Sequence, residues 1–201
     1  MAPVHMGDVD LLDADPALHA RIWHMLCQQK AMGSGQALDV IKSTQYHIDP
    51  NAGARPVRLA PGLAGHTAQE AETAKVRRQL TADFIEPRLS ERGFPVLLVP
   101  KKDGTLRLRV DYRLLNVVTK KDSYPLPWMD GCIYSLGEAA HFSTLDCNAG
   151  YWPVAITPED RENTAFVCHE GAYQYMRMPF GLSSAPVTFL RALDIILFTV
   201  K

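Results

Sequence analysis

No apolar run in this 201-residue chain approaches the roughly 18 to 20 residues that a membrane-crossing helix needs. The longest, Val96 to Val99 and Ile195 to Phe198, fall far short, so no membrane partner is expected. Cysteine is scarce too. Cys27, Cys132, Cys147 and Cys168 form no C-x-x-C pair, and His169 beside Cys168 is one adjacent pair rather than a zinc site. The four read as reduced thiols of an intracellular protein. Met1 to Ala14 carries acids but neither the basic nor the apolar segment of a secretory leader. Repeats and low-complexity tracts are also missing. What is present, 47% hydrophobic and 21% charged residues, excludes wholesale disorder, collagen and coiled coil. The length suits one sizeable core, or a core and a smaller lobe.

Net charge is only -1, yet the charges are segregated. Between 88 and 121 stand nine Lys and Arg against three acids, and between 122 and 201 four against nine. A basic block beside an acidic one suits a protein that grips phosphates with one lobe and holds a cationic metal with the other. A solvated face would look the same from charge alone.

Residues 1–44 read as a connector, partly helical: Pro16 to Gln29 spaces Leu18, Ile22, Met25 and Leu26 on a helix that Asp15 could cap. Gln45 to Asp49 is a short extended candidate, and 51–65 is a Pro/Gly/Ala-rich strap. Thr67 and Glu70 have the spacing of a capping box, opening a helix with Val76, Leu80 and Phe84 on one face until Ile85-Glu86-Pro87 ends it. Strands are predicted at Pro95 to Val99 and Leu106 to Val110, joined through Asp103-Gly104, the strongest short hairpin signal. Alternation then puts Arg107 and Arg109 on one face of a two-stranded ribbon. After the strap Tyr124 to Pro127 comes a short helix with Met129, Ile133 and Leu136 on one face and Gly137 as its stop. His141 to Leu145 and Val154 to Ile156 read as strands. Thr164 to His169 and Ala172 to Met178 read as a second hairpin, and a last helix starts near Pro186 with Phe189, Leu193, Ile196 and Leu197 at core spacing.

Three places could carry chemistry. Asp146 ends an apolar strand before small residues, a position that suits either a magnesium ligand or an ordinary turn-starting aspartate. The loop Met178 to Pro186 offers Gly181 and small residues ahead of a helix N-terminus, where an anion is welcome; a plain connecting loop is the other reading. The ribbon with Arg107 and Arg109 beyond Lys101-Lys102 could contact phosphates.

In this order, Val99 to Arg107, Val110 to Asn116, Tyr124 to Pro127, Phe142 to Trp152, Thr164 to Phe166 and Met178 to Leu182 resemble the reverse transcriptase of gypsy-type long-terminal-repeat retrotransposons. The resemblance covers roughly 45–201, and several motifs in the right order are far more specific than one. It implies an α+β fold, the fingers and partial palm of a right-hand polymerase built from antiparallel hairpins with packed helices, with the 103–104 hairpin as fingertip. It further implies that Asp146 is the catalytic acid and binds two Mg²⁺ ions, helped by the Cys147 carbonyl. Lys101 and Arg107 would hold the incoming dNTP, Tyr151 would lie under its sugar and reject a 2′-hydroxyl, and Phe180 and Gly181 would line the site. Lys102, Arg109 and Arg113 would face nucleic acid. RNA template, DNA primer and dNTPs are the implied partners, with protease, ribonuclease H and integrase segments if the chain is part of a longer Pol polyprotein.

The sequence departs from the family at Pro153 and Leu190, where glutamine is usual, and at Arg92 to Phe94, where a Trp-containing turn is usual. The family's aromatic-x-Asp-Asp hairpin is absent, and no Asp-Asp pair occurs anywhere in the sequence. The expectation is a polymerase fragment that is inactive alone, since one carboxylate poorly offsets the repulsion of two divalent ions. The alternatives are a non-catalytic remnant that binds RNA or RNA–DNA duplex, and a poorly folding relic with an uncovered apolar face.

Overall fold

The computed structural model describes residues 40–41, 43–59, 62, 65–88, 90–101, 104–137 and 150–198, with side chains of the last helix described as far as Ile195. The helix expected at Pro16 to Gln29, the strand at His141 to Leu145 and the residues Lys102, Asp103, Asp146 and Cys147 lie outside the described residues. The chain divides into two compact units, one of 1–40 with 125–150 and one of 41–124 with 151–201.

The larger unit is built on a five-stranded sheet. In chain order its strands are β2 (Ile85–Pro87), β3 (Phe94–Pro100), β4 (Leu106–Val110), β6 (Phe166–Cys168) and β7 (Gly171–Tyr175), arranged β2-β7-β6-β3-β4. A separate parallel pair joins β1 (Gln45–Tyr46) to β5 (Ala155–Ile156). Both predicted hairpins are present: β3 with β4, Val96 opposite Val110 and Val99 opposite Arg107, and β6 with β7, Phe166 opposite Tyr173. The first turns at Gly104, whose φ of +77° a side-chain-bearing residue would resist. The sheet is nonetheless mixed, because β3 runs parallel to β6 through Phe94 and Pro95.

Ile85-Glu86-Pro87 is an added strand rather than a mere helix stop. Among the described residues it pairs only with β7, and a sheet edge is where proline, lacking a ladder donor, is tolerated. Upstream, α1 (His66–Thr81) begins two residues earlier than the capping box requires. Gly65 occupies the N-cap without a side-chain hydrogen bond, and Glu70 faces His66 at 3.5 Å instead of reaching back to Thr67. The stripe also shifts. Glu72 and Val76 are its buried residues, Leu80 is exposed, and Phe84 lies beyond the helix, after Asp83 turns the chain at φ 54°. Glu72 is buried because it has donors: the His169 backbone N–H at 3.0 Å, with His169 Nδ1 also at 3.0 Å. The carboxylate thereby ties α1 to the β6–β7 turn.

Tyr46, Phe94, Tyr112, Leu115, Ile156, Phe166 and Met178 are among the largest fully buried side chains. Tyr112 donates its hydroxyl to the Thr164 carbonyl at 2.9 Å, and Thr164 Oγ1 in turn accepts from the Tyr175 N–H at 3.0 Å. Thr164 closes a 3₁₀ helix, Pro158–Thr164, where a strand start was expected. The last helix, α4 (Ala185–Phe198), starts within a residue of its predicted position.

Among described residues, the smaller unit contributes α3 (Met129–Leu136), stopped by Gly137 at φ 50° as its sequence predicts. No residue of α3 is buried, so the expected apolar face of Met129, Ile133 and Leu136 is exposed.

Candidate nucleotide and nucleic-acid site

Strand β4 presents Arg107 and Arg109 on one face, opposite Val99 and Leu97 of β3. Between β4 and the strap at Tyr124 lies α2 (Arg113–Val118), anchored by buried Leu115. The sequence reading missed this helix; at six residues it is too short to show a hydrophobic period. The loop 178–184 returns beside them. Met178 and Leu182 are buried on either side of it, and Met178 N–H bonds to the Val154 carbonyl at 2.9 Å. That leaves only Phe180 and Gly181 to project between fixed points.

The Arg107 guanidinium lies over the Phe180 ring, 4.5 Å from its centroid. Phe180 in turn meets Tyr151, ring centroids 5.0 Å apart, and Tyr151 leans edge-on against Phe189 at 5.4 Å. Trp152 approaches Phe180 at 6.0 Å and stacks on Phe84 at 4.7 Å. Cation–ring attraction covers one face of the guanidinium and leaves its N–H edge for oxygen acceptors, the geometry that suits Arg to phosphate. Arg107, Tyr151, Phe180 and Gly181, four residues singled out from the sequence, therefore come together in space. Gly181 takes φ +104°, and a Cβ there would meet the Val110 carbonyl at 3.6 Å and the Tyr112 ring at 3.7 Å.

Lys101 stands at the ribbon's tip, its N–H bonded to the Thr105 carbonyl at 2.7 Å. It lies two residues beyond Val99, which pairs with Arg107, so alternation returns it to the arginine face about 7 Å along the strand. Lys101, Arg107 and Arg109 make no salt bridge among the described residues, whereas Arg113 is held by Asp111, Nη2 to Oδ2 at 2.6 Å and Nε to Oδ1 at 2.9 Å. That bond from Arg113, above all else, lowers the Asp111 pKa. Arg113 is thus partly committed within its own turn.

Asn116 was not singled out. Its Nδ2 donates to the Gly181 carbonyl at 2.8 Å and its Oδ1 accepts from the Ser183 N–H at 2.9 Å. A polar residue interrupting Leu114-Leu115 and Val117-Val118 was the signal available.

No group of three or more His, Cys, Asp or Glu side chains able to hold a metal occurs among the described residues, nor does a helix long and apolar enough to cross a membrane. Cys132 and Cys168 are free thiols, the first exposed and the second buried.

A mixed sheet thus delivers a cationic ribbon to an aromatic, glycine-bearing loop. Residues 99–201 match the family described as reverse transcriptase (RNA-dependent DNA polymerase), and the chain belongs to that family. It is similar to the retrovirus-related Pol polyprotein from transposon 412 of Drosophila melanogaster, 35% identical over 146 residues that make up 70% of this chain and 12% of that protein. With the transposon Tf2-7 polyprotein of Schizosaccharomyces pombe it shares 33% identity over 73% of this chain and 11% of the polyprotein. The chain therefore spans about an eighth or less of the length of these curated relatives. Among solved structures it is similar to the prototype foamy virus protease–reverse transcriptase (a CSH mutant), with a TM-score of 0.74 at 21% identity over 94% of this chain and 26% of that one. The foamy viral enzyme in complex with an RNA/DNA hybrid follows the same fold, TM-score 0.67 at 17% identity, over 93% of this chain and 25% of that chain. The fold is accordingly α+β, a fragment of polymerase fingers and palm.

Proposed function

We propose that this chain is the nucleotide-holding part of an RNA-directed DNA polymerase of a retroelement. The observation that carries the reading is the Arg107 guanidinium over Phe180, with Tyr151 against the same ring. In this reading the N–H edge of Arg107 and the ammonium of Lys101 hold the triphosphate of a dNTP, offsetting charge that develops on its oxygens during transfer. Tyr151 lies under the sugar, and its ring, wedged between Phe180 and Phe189, is stiff enough to reject a 2′-hydroxyl. Arg109, Lys102 and Arg113 meet the backbone of an RNA template or DNA primer. Protease, ribonuclease H and integrase segments are the partners of a Pol polyprotein.

Magnesium, two ions in the intact family, would fall to Asp146 and the Cys147 carbonyl. Both lie outside the described residues, and no described cluster replaces them, so no step is assigned to the metal. These 201 residues taken alone contain no Asp-Asp pair and are proposed not to extend a primer.

The test is an RNA–DNA hybrid carrying a fluorescent label, titrated with the purified 201-residue chain. Affinity is expected to fall steeply with salt as phosphate contacts release counterions, with no primer extension in Mg²⁺ or Mn²⁺. Salt-independent binding would count against the nucleic-acid reading. Extension lost on Asp146→Asn would overturn the claim of inactivity, and binding without dNTP retention would favour a non-catalytic remnant.

A further inference from the structure

We infer that Asn116 is a positioning residue for the nucleotide site, acting through Phe180; the inference rests on the reading of that site given above. Its amide spends both ends on one loop: the donor on the Gly181 carbonyl at 2.8 Å and the acceptor on the Ser183 N–H at 2.9 Å. Turning the amide over would set N–H against N–H and oxygen against oxygen, so the two bonds fix its orientation. The base of the clamp is firm. The Asn116 N–H bonds to the Tyr112 carbonyl at 2.8 Å, and both Tyr112 and Leu115 are buried.

The loop end is one residue from the ring it controls. Gly181 follows Phe180 directly, and a Cβ there would meet the Val110 carbonyl and the Tyr112 ring. Val110 is the last residue of β4, the strand that carries Arg107. One side chain therefore holds the Phe180 loop to the end of the strand from which Arg107 projects, and so sets the ring's height beneath the guanidinium. Among the described residues no other side-chain hydrogen bond joins this loop to α2.

The experiment compares the full 201-residue chain with Asn116→Ala, Asn116→Asp, Phe180→Ala and the Asn116→Ala/Phe180→Ala pair. Two quantities are read: the NMR ring-current shift of the Arg107 side-chain protons, and the affinity for dGTP in the presence of a bound RNA–DNA hybrid. Asn116→Ala is expected to move the Arg107 protons toward their random-coil shifts and to weaken dGTP about 3- to 10-fold, the equivalent of one hydrogen bond of ordinary strength. Asn116→Asp keeps the acceptor for Ser183 but turns a carboxylate oxygen on the Gly181 carbonyl, so it is expected to lose as much. In the Phe180→Ala background the Asn116 change should cost nothing further, since a residue acting through the ring has nothing left to position. An equal loss in both backgrounds, or an unchanged ring-current shift in Asn116→Ala, would overturn the inference. Failure of the unmutated chain to bind dGTP would instead refute the nucleotide-site reading, and the ring-current shift would still judge the clamp.

Discussion

Tyr112→Phe removes one oxygen from the centre of the larger unit, and its cost is expected to depend on pH. The side chain is 2% exposed, its hydroxyl donates to the Thr164 carbonyl at 2.9 Å, and its ring meets Phe94 edge-on with centroids 5.4 Å apart. The substitution keeps the ring contact and leaves a buried carbonyl short of a partner, at a cost of about 1–2 kcal/mol at neutral pH. For a chain of this size that is a melting temperature lower by about 2–8 °C. Burial also pushes the Tyr112 phenol well above its usual value of 10.0. A pKa raised by folding means stabilisation that is complete below the unfolded value and lost as pH climbs toward the folded one, at about 1.4 kcal/mol per pH unit. Phenylalanine has no such dependence. Near pH 11 the native chain thus gives up about as much from this residue as the variant lost at pH 7, and the difference between them should close. Burial raises Tyr46 and Tyr175 as well, so both proteins should weaken above pH 10 and only their difference is diagnostic. Urea midpoints of the two proteins at pH 7 and pH 11 supply it. A difference equal at both pH values, or none at pH 7, would refute the reasoning.

Gly181→Ala forces a side-chain-bearing residue to φ +104°, a strain of about 1–2 kcal/mol; urea unfolding should show that loss, and an unchanged midpoint would mean the loop relaxes freely. Asp111→Ala frees the Arg113 guanidinium from its carboxylate. Hybrid binding should tighten and its salt slope steepen by about one, whereas unchanged binding would place Arg113 away from the duplex.

What the sequence made legible was mostly local. Asp-Gly chemistry located the β3–β4 turn, alternation placed Arg107 and Arg109 on one face, and Gly137 stopped α3. Order and spacing of motifs carried the family. Long-range choices were hidden. The parallel join of β3 to β6 depends on chain that is distant in sequence, and so does the burial of Glu72, whose donor His169 lies 97 residues away. The capping box failed because Gly65 starts the helix two residues early and His66 takes Glu70. Pro158, with acids at Glu159 and Asp160, did mark a helical start, but a single 3₁₀ segment has too little apolar pattern to register. At the site, Arg107 and Gly181 stood out from the residues themselves, whereas Tyr151 and Phe180 came from the resemblance. Asn116 was missed, because a clamp that holds backbone has no motif of its own.

The most direct measurement is the affinity for dGTP of the chain bound to an RNA–DNA hybrid, for the native sequence, Arg107→Ala and Arg77→Ala. Arg77 is paired with Glu170 at 2.6 Å, away from the loop, and serves as a control for lost charge. Arg107→Ala removes charge-assisted bonds worth about 1.5–3 kcal/mol, so dGTP should weaken at least tenfold while Arg77→Ala changes it by less than about twofold. Equal affinities for the native chain and Arg107→Ala would contradict the account.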